Sequence, residues 1–130
     1  MNTESLTFGI LIILFIIYVF IKYENRTSEI SKEELGRSTW TLLHKMCTKY
    51  PDNPSRNEKD EMIHFISTLY RLYPCEECSF HFEEYVKKNP PNVESKKELK
   101  NWFCKLHNFI NKRLDKSIFN CDLIDYQWGN

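Results

Sequence analysis

Two cysteines separated by two residues, Cys75-Glu76-Glu77-Cys78, follow directly on Tyr73-Pro74. The proline ends one helix and a new one begins after it, so the CxxC sits at a helix N-terminus. There the macrodipole and the free N–H groups favour thiolate over thiol. The thiolate is the attacking species in thiol–disulfide exchange, which is the chemistry this pair suggests. Glu76 and Glu77 oppose the dipole by raising the thiol pKa. Three more cysteines, Cys47, Cys104 and Cys121, complete the set. Cys104 and Cys121 could form a second bridge; closing 17 residues, it would contribute about 3 kcal/mol. A zinc site is the alternative use of the CxxC, with His81 or a second cysteine pair completing the ligands. Cys104 and Cys121 lack the paired spacing of a zinc ribbon. A thioredoxin-like use needs a βαβ context, and no strand pattern is visible. Cys47, seven residues after Trp40, reads as a buried free thiol in preference to an intermolecular bridge.

A second group of residues points to a ligand. Arg37, Trp40 and His44 recur at helical spacing and share one face. Further along, His107, Asn108 and Asn111 are followed by Lys112 and Arg113. Each residue alone is consistent with a core tryptophan and partly buried histidines. Together they place more polar groups on apolar faces than a small helical core requires. A flat aromatic ligand with a pyrophosphate arm would account for them, with rings for stacking, amides for edges and cations for phosphates.

The elements that must position these groups are helical. Leu35, Thr39, Leu43, Met46 and Tyr50 step by three or four residues. So do Met62, Phe65/Ile66, Leu69 and Leu72/Tyr73, and again Leu99, Trp102/Phe103, Leu106, Phe109/Ile110 and Leu114. Ser31…Glu34, Ser55…Glu58 and Ser95…Glu98 are capping-box patterns that start three of the helices. A fourth helix is predicted from about Cys75 to Asn89, with Phe82, Tyr85 and Val86 inward. Pro51, Pro54, Pro90 and Pro91 fall between segments, where a missing N–H does no harm. The fold class is therefore all-α: a four-helix bundle with a short fifth helix, preceded by one N-terminal transmembrane helix.

The apolar run Leu6–Ile21 carries that last expectation. Its 16 residues span about 24 Å, and Lys22 and Tyr23 extend it by snorkelling. A basic leader and a small-residue cleavage site are both missing, which favours an uncleaved anchor over a signal peptide. The domain reading is an anchor over residues 1–23, a polar linker over 24–31 and one soluble domain over 32–130. Asn25-Arg26-Thr27 is a glycosylation sequon too near the membrane for use. Eighteen basic against eighteen acidic side chains give no reason to expect a nucleic-acid partner. Three glycines in 130 residues leave no Gly-rich phosphate loop.

Taken in order, Leu35-Gly36-Arg37-Ser38-Thr39-Trp40…Leu43-His44, Tyr73-Pro74-Cys75-Glu76-Glu77-Cys78, Trp102…Cys104…Leu106-His107-Asn108…Asn111, Phe119…Cys121 and Trp128 resemble the Erv/ALR family of FAD-linked sulfhydryl oxidases. The resemblance runs from about Glu33 to Trp128. It implies a helical bundle with FAD at its mouth, usually homodimeric, that oxidises two thiols to a disulfide and reduces O2 to H2O2. Cys75 would be the interchange thiol and Cys78 the thiol nearer the flavin. Gly36, Arg37, Trp40, His44 and Tyr73 would contact FAD from the first half of the domain. Cys104, His107, Asn108, Asn111 and Lys112 or Arg113 would contact it from the last long helix, with Lys116 and Trp128 at the adenine end. Cys104–Cys121 would be the structural disulfide, in agreement with the pairing suggested above.

The additional shuttle cysteine pair often found in this family is missing, so the expected electron donors are reduced protein thiols or a separate dithiol carrier docking at Cys75. Compartment signals conflict. Lys22, Arg26 and Lys32 follow the span and favour a cytosolic domain, whereas stable disulfides favour an oxidising space. The cysteines carry more weight, and the expectation is a domain in the endoplasmic reticulum lumen. A viral membrane with a cytosolic-facing domain and the mitochondrial intermembrane space are the alternatives.

Overall fold

A computed structural model of the chain describes residues 3–24 and 30–129. The sequon at Asn25 lies outside the described residues. The chain divides into two units, one ending at Ser31 and the other starting at Lys32. In the first, α1 spans Thr3–Glu24. Its 22 residues rise about 33 Å. That exceeds the apolar run alone, because polar residues at both ends join the helix. The window Leu6–Tyr23, with a mean hydropathy of 2.4, is long and apolar enough to cross a membrane. Lys22 folds back so that its Nζ lies 5.8 Å from the centre of the Tyr18 ring.

The second unit contains α2 (Lys32–Lys49), α3 (Arg56–Leu72), α4 (Glu76–Lys88), α5 (Lys96–Arg113), a 3-10 turn (Cys121–Leu123) and α6 (Ile124–Trp128). Among the described residues every regular element is helical, as the apolar period predicts. The helix α5 packs against both α2 and α4, α3 packs on α4, and the short α6 lies on α2 and α5. This central position explains why α5 carries the densest apolar set: Leu99, Trp102, Phe103, Cys104 and Leu106 are all buried. Leu43, Ile66, Phe82 and Tyr85 meet them from the other helices.

The local signals act largely as written in the sequence. At α3 the capping box is complete: Glu58 N–H donates to Ser55 Oγ (3.3 Å), and Ser55 N–H donates to Glu58 Oε2 (2.7 Å). At α5 only half of the box forms. Ser95 Oγ accepts from Glu98 N–H, but the Glu98 carboxylate accepts from Asn92 Nδ2 (2.9 Å) in the preceding turn. The end of α5 had no glycine to announce it. Asp115 adopts the left-handed conformation (φ 53°), and Lys116 N–H closes on Asn111 O (2.8 Å). Asp is one of the few residues with a side chain that tolerate this geometry. Leu72 and Leu114 depart from the predicted inward stripes. Both stand at helix C-termini where the chain turns away, and they are 76% and 54% exposed. Core polar ends are satisfied by the loop between α4 and α5: Trp102 Nε1–H donates to Asn89 O and Tyr50 O–H to Val93 O. Cys47 is buried and unbridged, and burial pushes its thiol up to about 12, so it is inert at neutral pH.

Candidate active site

The turn at Pro74 sets the redox pair. Tyr73 is extended, Cys75 N–H bonds back to Tyr73 O (2.8 Å), and Cys75 becomes the N-cap of α4. Its sulfur accepts the N–H of Cys78 at 3.4 Å. Cys75 and Cys78 are joined as a disulfide with Cα atoms 5.3 Å apart. The favourable helix-end field therefore acts on the Cys75 sulfur through a direct amide contact. The opposing charge of Glu77 is met by Lys32 of α2 at 3.7 Å, in a solvent-exposed pair. The amide contact is the stronger influence, because exposed carboxylates act through water.

A cavity of about 370 Å³ opens beside this disulfide, with Cys78 in its wall and Cys75 outside the lining. Gly36, Arg37 and Trp40 of α2 line it, with Tyr73, His107, Asn111, Lys116 and Trp128. Leu43, Phe82 and Ile110 supply an apolar surface. A Cβ built on Gly36 would meet nothing within 4 Å, so the missing side chain leaves room there. Lys116 approaches Glu33 (3.9 Å), whereas Arg37 has no carboxylate partner among the described residues.

Four rings interlock at the cavity, Trp40, His107 and Trp128 in its wall and His44 behind them. Trp40 stacks on His107 with centroids 4.1 Å apart, and His44 stacks on Trp128 at 3.9 Å. His44 Nε2 and His107 Nδ1 share a 3.0 Å hydrogen bond that joins the two stacks. Burial holds His44 down to about 3, helped by the neighbouring His107, and His107 down to about 4, helped by Lys116. Both rings are neutral at pH 7.

Five of the cofactor-contact residues expected from the sequence lie outside the cavity lining: His44, already placed in the ring stack, and Cys104, Asn108, Lys112 and Arg113. Asn108 clamps the irregular segment that returns after α5: its Nδ2 donates to Phe119 O (2.7 Å) and its Oδ1 accepts from Phe119 N–H (2.9 Å). Cys104 is buried one turn earlier and is bridged to Cys121, with Cα atoms 5.8 Å apart. Arg113 turns to α4, donating to Glu84 Oε2 (2.7 Å) and His81 Nδ1 (3.2 Å). Lys112 is exposed. His81 is thus engaged by Arg113, and no cluster of three metal-ligating side chains exists among the described residues. The sequence reading also missed Thr39 as a site residue. Thr39 donates to Leu35 O (2.8 Å), so at the 2.9 Å contact with Tyr73 the phenol must donate to Thr39. That bond fixes Tyr73 across the cavity from α2. A hydroxyl inside an apolar stripe was the available signal. Lys45 and Gly129 were missed too: Lys45 Nζ donates to Gly129 O (3.1 Å) and ties the tail to α2.

Fold and site together define an all-helical domain with a dithiol/disulfide pair in the wall of an aromatic, partly cationic cavity. The Erv1/Alr family model matches residues 37–129, and the chain belongs to that family. It is 40% identical over 106 residues to the FAD-linked sulfhydryl oxidase ERV1 of Arabidopsis thaliana, covering 82% of this chain and 56% of that protein. It is 44% identical over 96 residues to the mitochondrial FAD-linked sulfhydryl oxidase ERV1 of Saccharomyces cerevisiae, covering 74% and 51%. The crystal structure of the FAD binding domain of Erv1 from Saccharomyces cerevisiae superposes with a TM-score of 0.75 at 42% identity, covering 78% of this chain and 96% of that one. The chain spans about half the length of the curated relatives it matches.

Proposed function

We propose that this chain is an FAD-dependent thiol oxidase: two thiols and O2 give a disulfide and H2O2. The observation that carries the reading is the Cys75–Cys78 disulfide, with Cys78 in the cavity wall and Cys75 at the helix N-terminus outside it. A substrate thiolate attacks Cys75, the Cys75–Cys78 bond breaks, and the electron pair leaves on Cys78. The second substrate thiol then displaces Cys75 from the mixed disulfide, and the substrate leaves oxidised. The Cys78 amide N–H, which donates to the Cys75 sulfur, stabilises the thiolate so released. A flavin bound in the cavity would supply the two-electron relay from the Cys78 side to O2.

The residues present fit such a group. Gly36 leaves space, and Trp40, His107 and Trp128 supply ring faces and edges. Arg37 and Lys116 supply positive charge for a pyrophosphate. Tyr73 and Asn111 complete the wall. We assign Asn108, Cys104 and Arg113 to holding the framework. The substrates are reduced protein thiols or a dithiol carrier. In this reading α1 anchors the chain in a membrane, and the second unit works as a homodimer in an oxidising compartment, the endoplasmic reticulum lumen first among them. Leu42 on α2, 57% exposed, is apolar surface available to a second copy.

The test is an absorption spectrum of the full chain purified in detergent, followed by oxygen uptake with dithiothreitol. A yellow protein that consumes O2 supports the reading. A protein that stays colourless after FAD is added overturns it.

A further inference from the structure

His44 does not line the cavity, yet it is the one side chain among the described residues with a sealed, unpartnered polar atom. It is 2% exposed, and its Nδ1 has no hydrogen-bond partner. Its other nitrogen, Nε2, meets His107 Nδ1 at 3.0 Å. One proton lies between two neutral rings, and two assignments are open. If His107 Nδ1–H donates, the His44 proton resides on Nδ1, as a buried N–H with no acceptor. If His44 Nε2–H donates, Nδ1 is a bare lone pair and no donor is stranded. Orphaned buried N–H groups are the rarer defect in proteins, which favours the second assignment. The second assignment also gives both rings the Nε2–H form, the intrinsically preferred tautomer of a neutral histidine. Both arguments select the same proton position.

The consequence falls on His107. With Nδ1 acting as the acceptor, its proton must be on Nε2. That nitrogen has no protein partner and, unlike His44 Nδ1, is not sealed from solvent. The residue belongs to the cavity wall. Its ring is held by the Trp40 stack, nearly parallel at 10°, and His44 is held by Trp128 at 17°. Flipping either imidazole by a half turn would keep its stack but put a carbon in place of a nitrogen and break the bond between the two rings.

We propose that His44 is a positioning residue that fixes the tautomer of His107, so that His107 presents Nε2–H as a fixed donor to an acceptor atom of the bound flavin nucleotide. This rests on the reading of the cavity as the flavin site. The lowered pKa values of both rings agree with it, since a neutral pair keeps the same proton arrangement across the physiological range.

Two measurements test it. Long-range nitrogen-15 correlation spectra of the full chain in detergent micelles should show protonated Nε2 and bare Nδ1 on both rings at neutral pH. A proton on His107 Nδ1 overturns the proposal, whatever the variants do. The second measurement is the FAD dissociation constant of His44→Phe and His44→Gln. Phenylalanine keeps the ring against Trp128 but removes the donor, and affinity should fall about tenfold, near the worth of one hydrogen bond. Glutamine carries an amide N–H at about the position of Nε2 and should stay within about threefold of wild type. Equal affinity for wild type and His44→Phe sinks the proposal alone. A wild-type chain that binds no FAD sinks the flavin reading and the proposal with it.

Discussion

Removing the Cys104–Cys121 bridge should lower the melting temperature steeply and leave the native site nearly unchanged. The perturbation is Cys121→Ser. Cys104 is 1% exposed, so keeping it as a buried thiol leaves the core volume filled. The bridge closes 17 residues. The loop-entropy relation then assigns it about 3 kcal/mol, acting by restricting the unfolded chain. For a domain of about 100 residues each kcal/mol moves the midpoint by about 4–8 °C, so the expected loss is about 12–24 °C. The native segment after α5 keeps a second fastening. Both Asn108–Phe119 hydrogen bonds survive the substitution, as does the Trp128 stack on His44. FAD affinity at 25 °C should therefore stay within about threefold. The assay is calorimetry of the full chain in detergent, paired with flavin titration and Trp fluorescence. A midpoint loss under about 4 °C would refute the entropic reasoning. A large loss accompanied by collapse of FAD affinity would show that the bridge holds the native tail, against the role given to Asn108.

Asn108→Asp keeps the acceptor for Phe119 N–H but sets a carboxylate oxygen against Phe119 O, so it should destabilise by about 2 kcal/mol in chemical denaturation; a neutral result removes the clamp. Cys78→Ser should retain flavin and lose dithiothreitol oxidation, and turnover near the wild-type rate would exclude Cys78 from the relay. Cys75→Ser should leave the Cys78 thiolate beside bound flavin and produce a long-wavelength absorption; its absence counts against that proximity. Stability should also fall with acid before the carboxylates titrate. His44 and His107 have native pKa values of about 3 and about 4, below their unfolded value. Between pH 6.5 and 5 the unfolded state binds more protons, and stability declines by up to about 1.4 kcal/mol per pH unit for buried His44, and by less for the partly exposed His107. A midpoint unchanged between pH 7 and 5 would contradict the buried neutral pair.

What the sequence determined by itself is what depends on neighbours three or four residues apart. Apolar stepping, the Ser55 box and the Ser95 cap, and the proline before Cys75 act within one turn of helix, and they locate α3, α4 and α5 closely. The Cys75–Cys78 pairing is local in the same sense. The Cys104–Cys121 bridge was legible because so few cysteines were left to combine. The site residues were legible as types and as members of a family pattern, while their partners were not. Nothing local says what Asn108 and Asn111 meet: both amides donate to the segment after α5, Asn108 to Phe119 O and Asn111 to Ser117 O, only Asn111 also reaches the cavity wall, and the return of the tail decides this. Arg113 could reach toward a phosphate or toward α4, and Glu84 and His81 draw it to α4 because α4 packs alongside α5. The 63-residue reach from His44 to His107 and the 34-residue reach from Thr39 to Tyr73 exist only once the helices dock. Side-chain hydrogen bonds are short and directional, so interhelical geometry at the ångström scale selects them, and that geometry comes from close packing of the whole core.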